Sequence, residues 1–205
     1  MVLYGILNDT RGKNVKIYEL LNSKKEYLKG KKALIFDMDG TLIDSMQYWW
    51  SLAGDDLSAY GSHADYMAEK YSTVIDFKPT TIVFLNYLKE NGVRMCIATD
   101  TPGSMSKGFF ERFPDFINYF EFTLDCTCVG VSKRRSPAIY DLATEKFGLT
   151  KQDVLVFEDN YYALITAANA GYDVVGVYDD ANASNEEKIR EVCVDYIYDY
   201  TEMTK

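Results

Sequence analysis

Residues 33–45 read Ala-Leu-Ile-Phe-Asp-Met-Asp-Gly-Thr-Leu-Ile-Asp-Ser. A fully apolar run, Ala33 to Phe36, stops at Asp37, and a second carboxylate, Asp39, follows two positions later. A short apolar run bounded by turn residues is the mark of a buried strand in a parallel sheet. In open sheets of that kind, ligands bind outside the carboxyl ends of the strands. The pair therefore raises three possibilities: a plain turn, a calcium loop or a catalytic pair. A calcium loop of the EF-hand kind needs Gly at position 6 and Glu at position 12. Counted from Asp37, those positions hold Leu42 and Tyr48, so that reading fails. A turn accounts for Asp and Gly together, but not for what the rest of the chain supplies. As a catalytic pair, one carboxylate attacks an electrophile and its neighbour carries protons to the leaving group and from water. Gly40 allows close backbone approach. Two carboxylates repel an anionic substrate unless a cation offsets them, so a bound metal is expected.

Outward from this segment the chain alternates. Apolar runs at Ala33–Asp37, Val93–Thr99, Phe120–Leu124, Val154–Phe157, Asp173–Val177 and Tyr196–Tyr198 are separated by helical stretches, clearest at Thr81–Asn91, Pro137–Phe147, Tyr161–Ala170 and Glu186–Val192. Pro79 precedes the first of these and Gly92 follows it. Ser136-Pro137 reads as N-cap and first helical position, Gly148 and Gly171 as stops, and Ser184-x-x-Glu187 as a capping box. Such alternation predicts an α/β fold with a parallel sheet covered on both faces. Before it, Val15 to Leu28 reads as one amphipathic helix in an N-terminal extension, residues 1–32. Between the first and second strands, residues 45–78 interrupt the alternation. They read as two short helices, Met46–Tyr60 and Ala64–Tyr71, broken at Gly61-Ser62-His63: a small helical cap on a core formed by 33–44 and 79–205.

Bulk properties narrow the function. A chain of 205 residues with 47% hydrophobic and 26% charged residues has the composition of a globular α/β domain. The net charge of −9 argues against nucleic acid or an anionic membrane surface as partner. No apolar stretch reaches membrane-spanning length, and the first residues lack the pattern of a signal peptide. Four scattered cysteines and a single histidine, His63, fit reduced thiols and a cytoplasmic setting rather than a disulfide framework or a zinc site. Oligomeric state is not readable.

Phe36-Asp37-Met38-Asp39-Gly40-Thr41-Leu42 resembles the first signature, DxDGT, of the haloacid dehalogenase-like hydrolases, and the likeness extends from Lys32 to about Asp180. The resemblance implies a doubly wound, Rossmann-like sheet of order 3-2-1-4-5 and phosphoryl transfer with Mg²⁺. It makes Asp37 the nucleophile that forms an aspartyl-phosphate. It makes Asp39 the general acid/base, with its backbone carbonyl on the metal. A carboxylate at Asp39 separates this chain from the dehalogenase branch and from the transport ATPases, which carry Thr there. The second motif is Thr99, whose hydroxyl would bind a phosphoryl oxygen, followed by Asp100, whose amide could donate to the phosphate. The fourth is Glu158-Asp159, which would bind Mg²⁺, followed by an alanine-rich helix ending in Gly171. Gly40 and Thr41 join the candidates for substrate binding. The third motif departs from the family pattern. In Val131-Ser132-Lys133-Arg134-Arg135-Ser136-Pro137, counting from the preceding Gly-Val gives Lys133 as the phosphate-binding cation, while counting back from Pro137 gives Arg134. A compact ammonium suits the role better than a guanidinium, which favours Lys133.

The function expected is therefore a Mg²⁺-dependent phosphatase acting on a small phosphorylated metabolite. A sugar phosphomutase of the β-phosphoglucomutase type uses the same residues, and a binding or regulatory module on the same fold is the reading from another class. Trp49, Trp50, Tyr48 and Tyr60 either line the leaving-group pocket or pack the cap, packing being the commoner role.

Overall fold

A computed structural model describes residues 16–21, 24–51 and 60–204. In chain order the elements are α1 (Ile17–Leu20), β1 (Ala33–Phe36), α2 (Met46–Ser51), α3 (His63–Thr73), α4 (Thr81–Glu90), β2 (Arg94–Thr99), α5 (Gly103–Arg112), β3 (Phe122–Asp125), α6 (Ala138–Phe147), β4 (Val154–Glu158), α7 (Tyr161–Asn169), β5 (Asp173–Val177), α8 (Glu186–Val192) and β6 (Asp195–Ile197). The six strands form one parallel sheet of order 3-2-1-4-5-6. The order expected from the sequence recurs, with β6 added beside β5.

β1 is central, pairing with β2 on one side and β4 on the other. Its four side chains are all buried, and their alternation feeds two cores. Leu34 and Phe36 face a layer built from α1, α3, α4 and α5. Ala33 and Ile35 face a layer built from α6, α7 and α8. Phe36 stacks on Phe157 of β4, ring centroids 4.8 Å apart, and meets Phe84 and Tyr200 edge-on. Aromatic packing of this kind adds to area burial and ties the two strands that carry the acidic residues.

Two expectations are corrected, and a third is shifted by one residue. The single helix over Val15–Leu28 does not form. Val15 lies outside the described residues, α1 is one short turn ending at Leu21 in extended geometry, and a separate 3₁₀ turn covers Glu26–Leu28. Its apolar residues Ile17, Leu21 and Leu28 bury into the main core instead, and Tyr87 donates to the carbonyl of Leu20 (2.9 Å). The capping box at Ser184 is absent, because Asp180–Asn185 is a 3₁₀ turn that runs into α8. Asp153 makes that kind of contact before β4 instead, accepting from the amide and hydroxyl of Thr150. The helix expected to be capped by Ser136 starts one position later, with Pro137 at its N-cap, and Ser136 accepts from the amide of Ala138 (3.3 Å). The sequence reading also passed over α5.

The segment between β1 and α4 rises on a paired stem. Ile43 bridges Phe77, Asp44 donates to the carbonyl of Asp76, and Lys78 donates to that of Leu42. α3 starts at His63, with Ser62 accepting from the amide of Asp65 (3.2 Å). The second half of the helix expected over Met46–Tyr60 falls on 52–59, outside the described residues. α3 lies against α5 at close range. A Cβ on Gly108 would sit 2.6 Å from Ser72 Cβ and 2.8 Å from its Cα, so glycine permits the contact. Arg112 then donates to the carbonyls of Tyr71 (3.2 Å) and Ile75 (2.8 Å). Gly108→Ala is expected to push α3 off α5 and cost about 1–3 kcal/mol of stability, as overpacking does. Urea unfolding of the variant beside the parent protein measures it.

Candidate active site

Asp37 follows β1 directly, its amide donating to the carbonyl of Phe157 (2.9 Å). Thr99 ends β2, and Glu158 ends β4 with Asp159 next. Because β1 lies between β2 and β4, these three ends are adjacent, and the residues line one cavity of about 420 Å³ with Asp39, Lys133 and Arg134. Carboxylate oxygens of Asp37, Glu158 and Asp159 all lie within 4.8 Å of one another, and the three residues are buried.

Lys133 is also buried, and its ammonium is paired with Asp37 and, at 2.7 Å, with Glu158. Burial opposes its charge, but the two carboxylates outweigh that and push its pKa up. The loop that delivers it is held by Asp100, which accepts from the hydroxyl of Ser132 (2.5 Å) and the amide of Lys133 (3.0 Å). Arg134 also lines the cavity but is not buried with the carboxylates. Its side chain is 59% exposed and its Nε is 3.8 Å from Asp100.

Asp159 is fixed from both sides. Thr41 donates to its Oδ1 (3.1 Å) and Asn182 to its Oδ2 (2.8 Å). Gly40, with φ of 76°, makes room for it: a Cβ there would lie 2.5 Å from Asp159 Oδ2. Gly40 and Thr41 thus back the acidic cluster. Glu158 accepts from Tyr140 (3.0 Å) and from the amide of Asn160 (3.0 Å). Thr99 accepts the amide of Thr101 (3.0 Å), so its own hydrogen is available to donate into the cavity.

Asp39 has different neighbours. Ser45 donates to its Oδ1 (2.7 Å), Tyr71 donates to the same oxygen, and Thr101 donates to Oδ2 (2.7 Å). Burial first, then the charge of Asp39, raise the pKa of Tyr71 well above its ordinary value, so the phenol keeps its proton and donates. Trp49 and Trp50 of α2 lie at the same cavity. Trp49, Tyr48 and Tyr60 pack against the main core, while Trp50 is 61% exposed.

The cluster suits a hard divalent cation. Three buried carboxylates face one ammonium, so full ionisation of all three would leave two negative charges over. Burial and the neighbouring Glu158 push the pKa of both Asp37 and Asp159 well up. Asp37 Oδ1 is buried against the Lys133 ammonium. An all-oxygen donor set of this kind is what Mg²⁺, Ca²⁺ or Mn²⁺ prefers.

Comparison with known proteins agrees with this geometry. The model of the haloacid dehalogenase-like hydrolases matches residues 46–171, and the chain belongs to that family. The matched region holds Thr99, Lys133, Glu158 and Asp159, and begins after the Asp37–Thr41 segment. Hydrolases of this family generally use a divalent metal. A haloacid dehalogenase-like hydrolase domain-containing protein of Arabidopsis thaliana is 30% identical over 122 residues, 56% of this chain. The match spans 38% of that relative's length. Among solved structures, CbbY from Rhodobacter sphaeroides in complex with phosphate superposes with a TM-score of 0.68 at 16% identity, covering 84% of this chain and 96% of that one. A candidate β-phosphoglucomutase from Thermotoga maritima gives 0.65 at 21% identity, covering 81% and 94%. A predicted phosphoglycolate phosphatase from Haemophilus somnus gives 0.62 at 19%, covering 73% and 86%. At these identities the likeness concerns the fold.

Ser45, Tyr71, Thr101, Tyr140 and Asn182 were not singled out from the sequence. Only Thr101 carried a signal, the spacing of two from Thr99 that turns its side chain back to the same strand end. A substitution tests the cluster directly. Gly40→Ala is expected to displace Asp159 and weaken binding of Mg²⁺ or Mn²⁺ by roughly tenfold or more, the scale seen when the support of a ligand is lost. Calorimetric titration with either ion reads the change.

Proposed function

We propose that this chain is a Mg²⁺-dependent phosphatase that hydrolyses a small phosphorylated metabolite through an aspartyl-phosphate on Asp37. The observation that carries this reading is the buried ion pair of Lys133 with Asp37 and Glu158, beside a second aspartate, Asp39, held separately by hydroxyl groups. One carboxylate is charge-balanced for attack, and the other is held for proton transfer.

The phosphoryl group would lie between Asp37, Lys133 and the hydroxyl of Thr99, with the Asp100 amide near. Lys133 offsets its charge and keeps Asp37 oriented. Asp37 forms a bond to phosphorus as the ester P–O bond breaks, and protonated Asp39 gives its proton to the departing oxygen. Water then attacks phosphorus and loses a proton to Asp39. The bond from phosphorus to Asp37 breaks, and phosphate leaves with the Asp37 carboxylate restored. Asp37, Glu158, Asp159 and the backbone carbonyl of Asp39 would hold the Mg²⁺, which when bound supplies positive charge at the phosphoryl oxygens. The four cysteines are free thiols, which supports a reducing compartment such as the cytoplasm. No helix of the described residues is long and apolar enough to cross a membrane.

A panel of phosphorylated metabolites, assayed for phosphate release with Mg²⁺ and with EDTA, tests the reading. Release is expected with Mg²⁺ alone. Asp37→Asn is expected to lower kcat by at least about a thousandfold, as loss of a nucleophile does. Lys133→Ala should lose more than Arg134→Ala. Release by Asp37→Asn equal to that of the parent would remove the nucleophile assignment. Transfer of phosphate to a second sugar hydroxyl instead of to water would favour a mutase, and no turnover on any compound a binding module.

A further inference from the structure

Asp39 is gripped more tightly than proton transfer alone requires. A carboxylate offers about four acceptor positions, two on each oxygen. Ser45 and Tyr71 occupy both on Oδ1, and Thr101 occupies one on Oδ2. One position is left, and it is on Oδ2. The three donors come from different parts of the fold: Ser45 from the stem of the inserted segment, Thr101 from the end of β2, and Tyr71 from α3. Tyr71 is fully buried in the main core. Its place on α3 is fixed by the donation of Arg112 to its carbonyl and by the close contact of Gly108 with the next residue, Ser72. The phenol and the Thr101 hydroxyl are 3.5 Å apart, longer than a good O–H···O bond, so each serves Asp39 and not the other.

We infer that Tyr71, together with Thr101, is a positioning residue for proton transfer: the two lock the Asp39 carboxylate in one orientation, so that Oδ2 alone gives and takes the proton. The inference rests on the phosphatase reading and adds to it residues outside the acidic motifs. In the first half of the reaction, the proton on Oδ2 passes to the ester oxygen as its bond to phosphorus breaks and the bond from Asp37 forms. In the second half, the attacking water returns a proton to Oδ2 as the bond to Asp37 breaks. Without Thr101 the carboxylate is held through Oδ1 alone and can rotate. Without Tyr71 a position opens on Oδ1 and the proton is shared between the two oxygens. In either case it faces the leaving oxygen for only part of the time.

A positioning role predicts dependence on the leaving group, which a purely structural role does not. p-Nitrophenyl phosphate releases a weakly basic phenolate that needs little proton assistance, and an alkyl phosphate releases a strongly basic alkoxide that needs much. The kcat ratio of alkyl to aryl phosphate is measured for the parent, Tyr71→Phe, Thr101→Val and Asp39→Asn. Tyr71→Phe keeps the ring in the core and removes only the hydroxyl. It is expected to lower the ratio by about tenfold, Thr101→Val by a similar factor and Asp39→Asn by more. Equal losses on both esters in Tyr71→Phe and Thr101→Val, with the ratio lowered in Asp39→Asn, would overturn the inference and leave the phosphatase reading standing. An unchanged ratio in Asp39→Asn would overturn both. Should Tyr71→Phe fail to fold, the ratio in Thr101→Val decides between these outcomes.

Discussion

The structure turns on one buried ammonium. Lys133 meets Asp37 and Glu158, all three buried, and Asp159 lies beside them. Carboxylates in such surroundings are costly unless paired and hydrogen-bonded. The rest of the local structure answers that cost. Asp100 and Ser132 place the Lys133 loop, Tyr140 and the Asn160 amide satisfy Glu158, and Thr41 with Asn182 satisfies Asp159. Even Gly40 belongs to this set, because any side chain there would strike Asp159. What the pairing leaves over is negative charge, which gives a divalent cation its place.

Two aspartates two residues apart receive opposite treatment. Asp37 leaves the strand among charged groups, and Asp39 turns into a shell of hydroxyls. The difference comes from the tight turn after β1, which sends alternate side chains to different neighbours. Asp39 meets residues of the inserted segment and of the loop after β2, so the stem and α3 are built into the same network as the chemistry. The close fit of α3 on α5 therefore bears on the site as well as on stability.

Much of the fold was legible because parallel strands buried on both faces must be apolar throughout. Val154–Phe157 and Asp173–Val177 could scarcely be anything else, and glycine and proline marked the ends of the helices between them. The errors have physical reasons. α5 carries Gly103 and Gly108 and two serines, poor helix formers, and it is helical because packing against α3 rewards the missing side chain. Val15–Leu28 has helical spacing of apolar residues, but Ile17, Leu21 and Leu28 are drawn into the core from separate turns, and tertiary burial overrides local preference. Ser184 had the pattern of a cap, but the chain there continues from one turn into the next helix and never presents a free first turn.

The sequence by itself determined which residues are acidic, which runs are strands and which order of motifs the chain follows. That was enough to assemble Asp37, Thr99 and Glu158-Asp159 around one strand end. It favoured Lys133 over Arg134 as the cation because a compact ammonium suits the role, although a count from either side selects a different one. Only the tertiary structure shows how differently the two are placed: the loop held by Asp100 turns the Lys133 ammonium inward onto Asp37, and the Arg134 side chain is 59% exposed. The same holds for Tyr71 and Asn182. Each lies far from its carboxylate in sequence, and a hydrogen bond between distant residues leaves no periodic trace. Such contacts exist only once the sheet has brought its strand ends together.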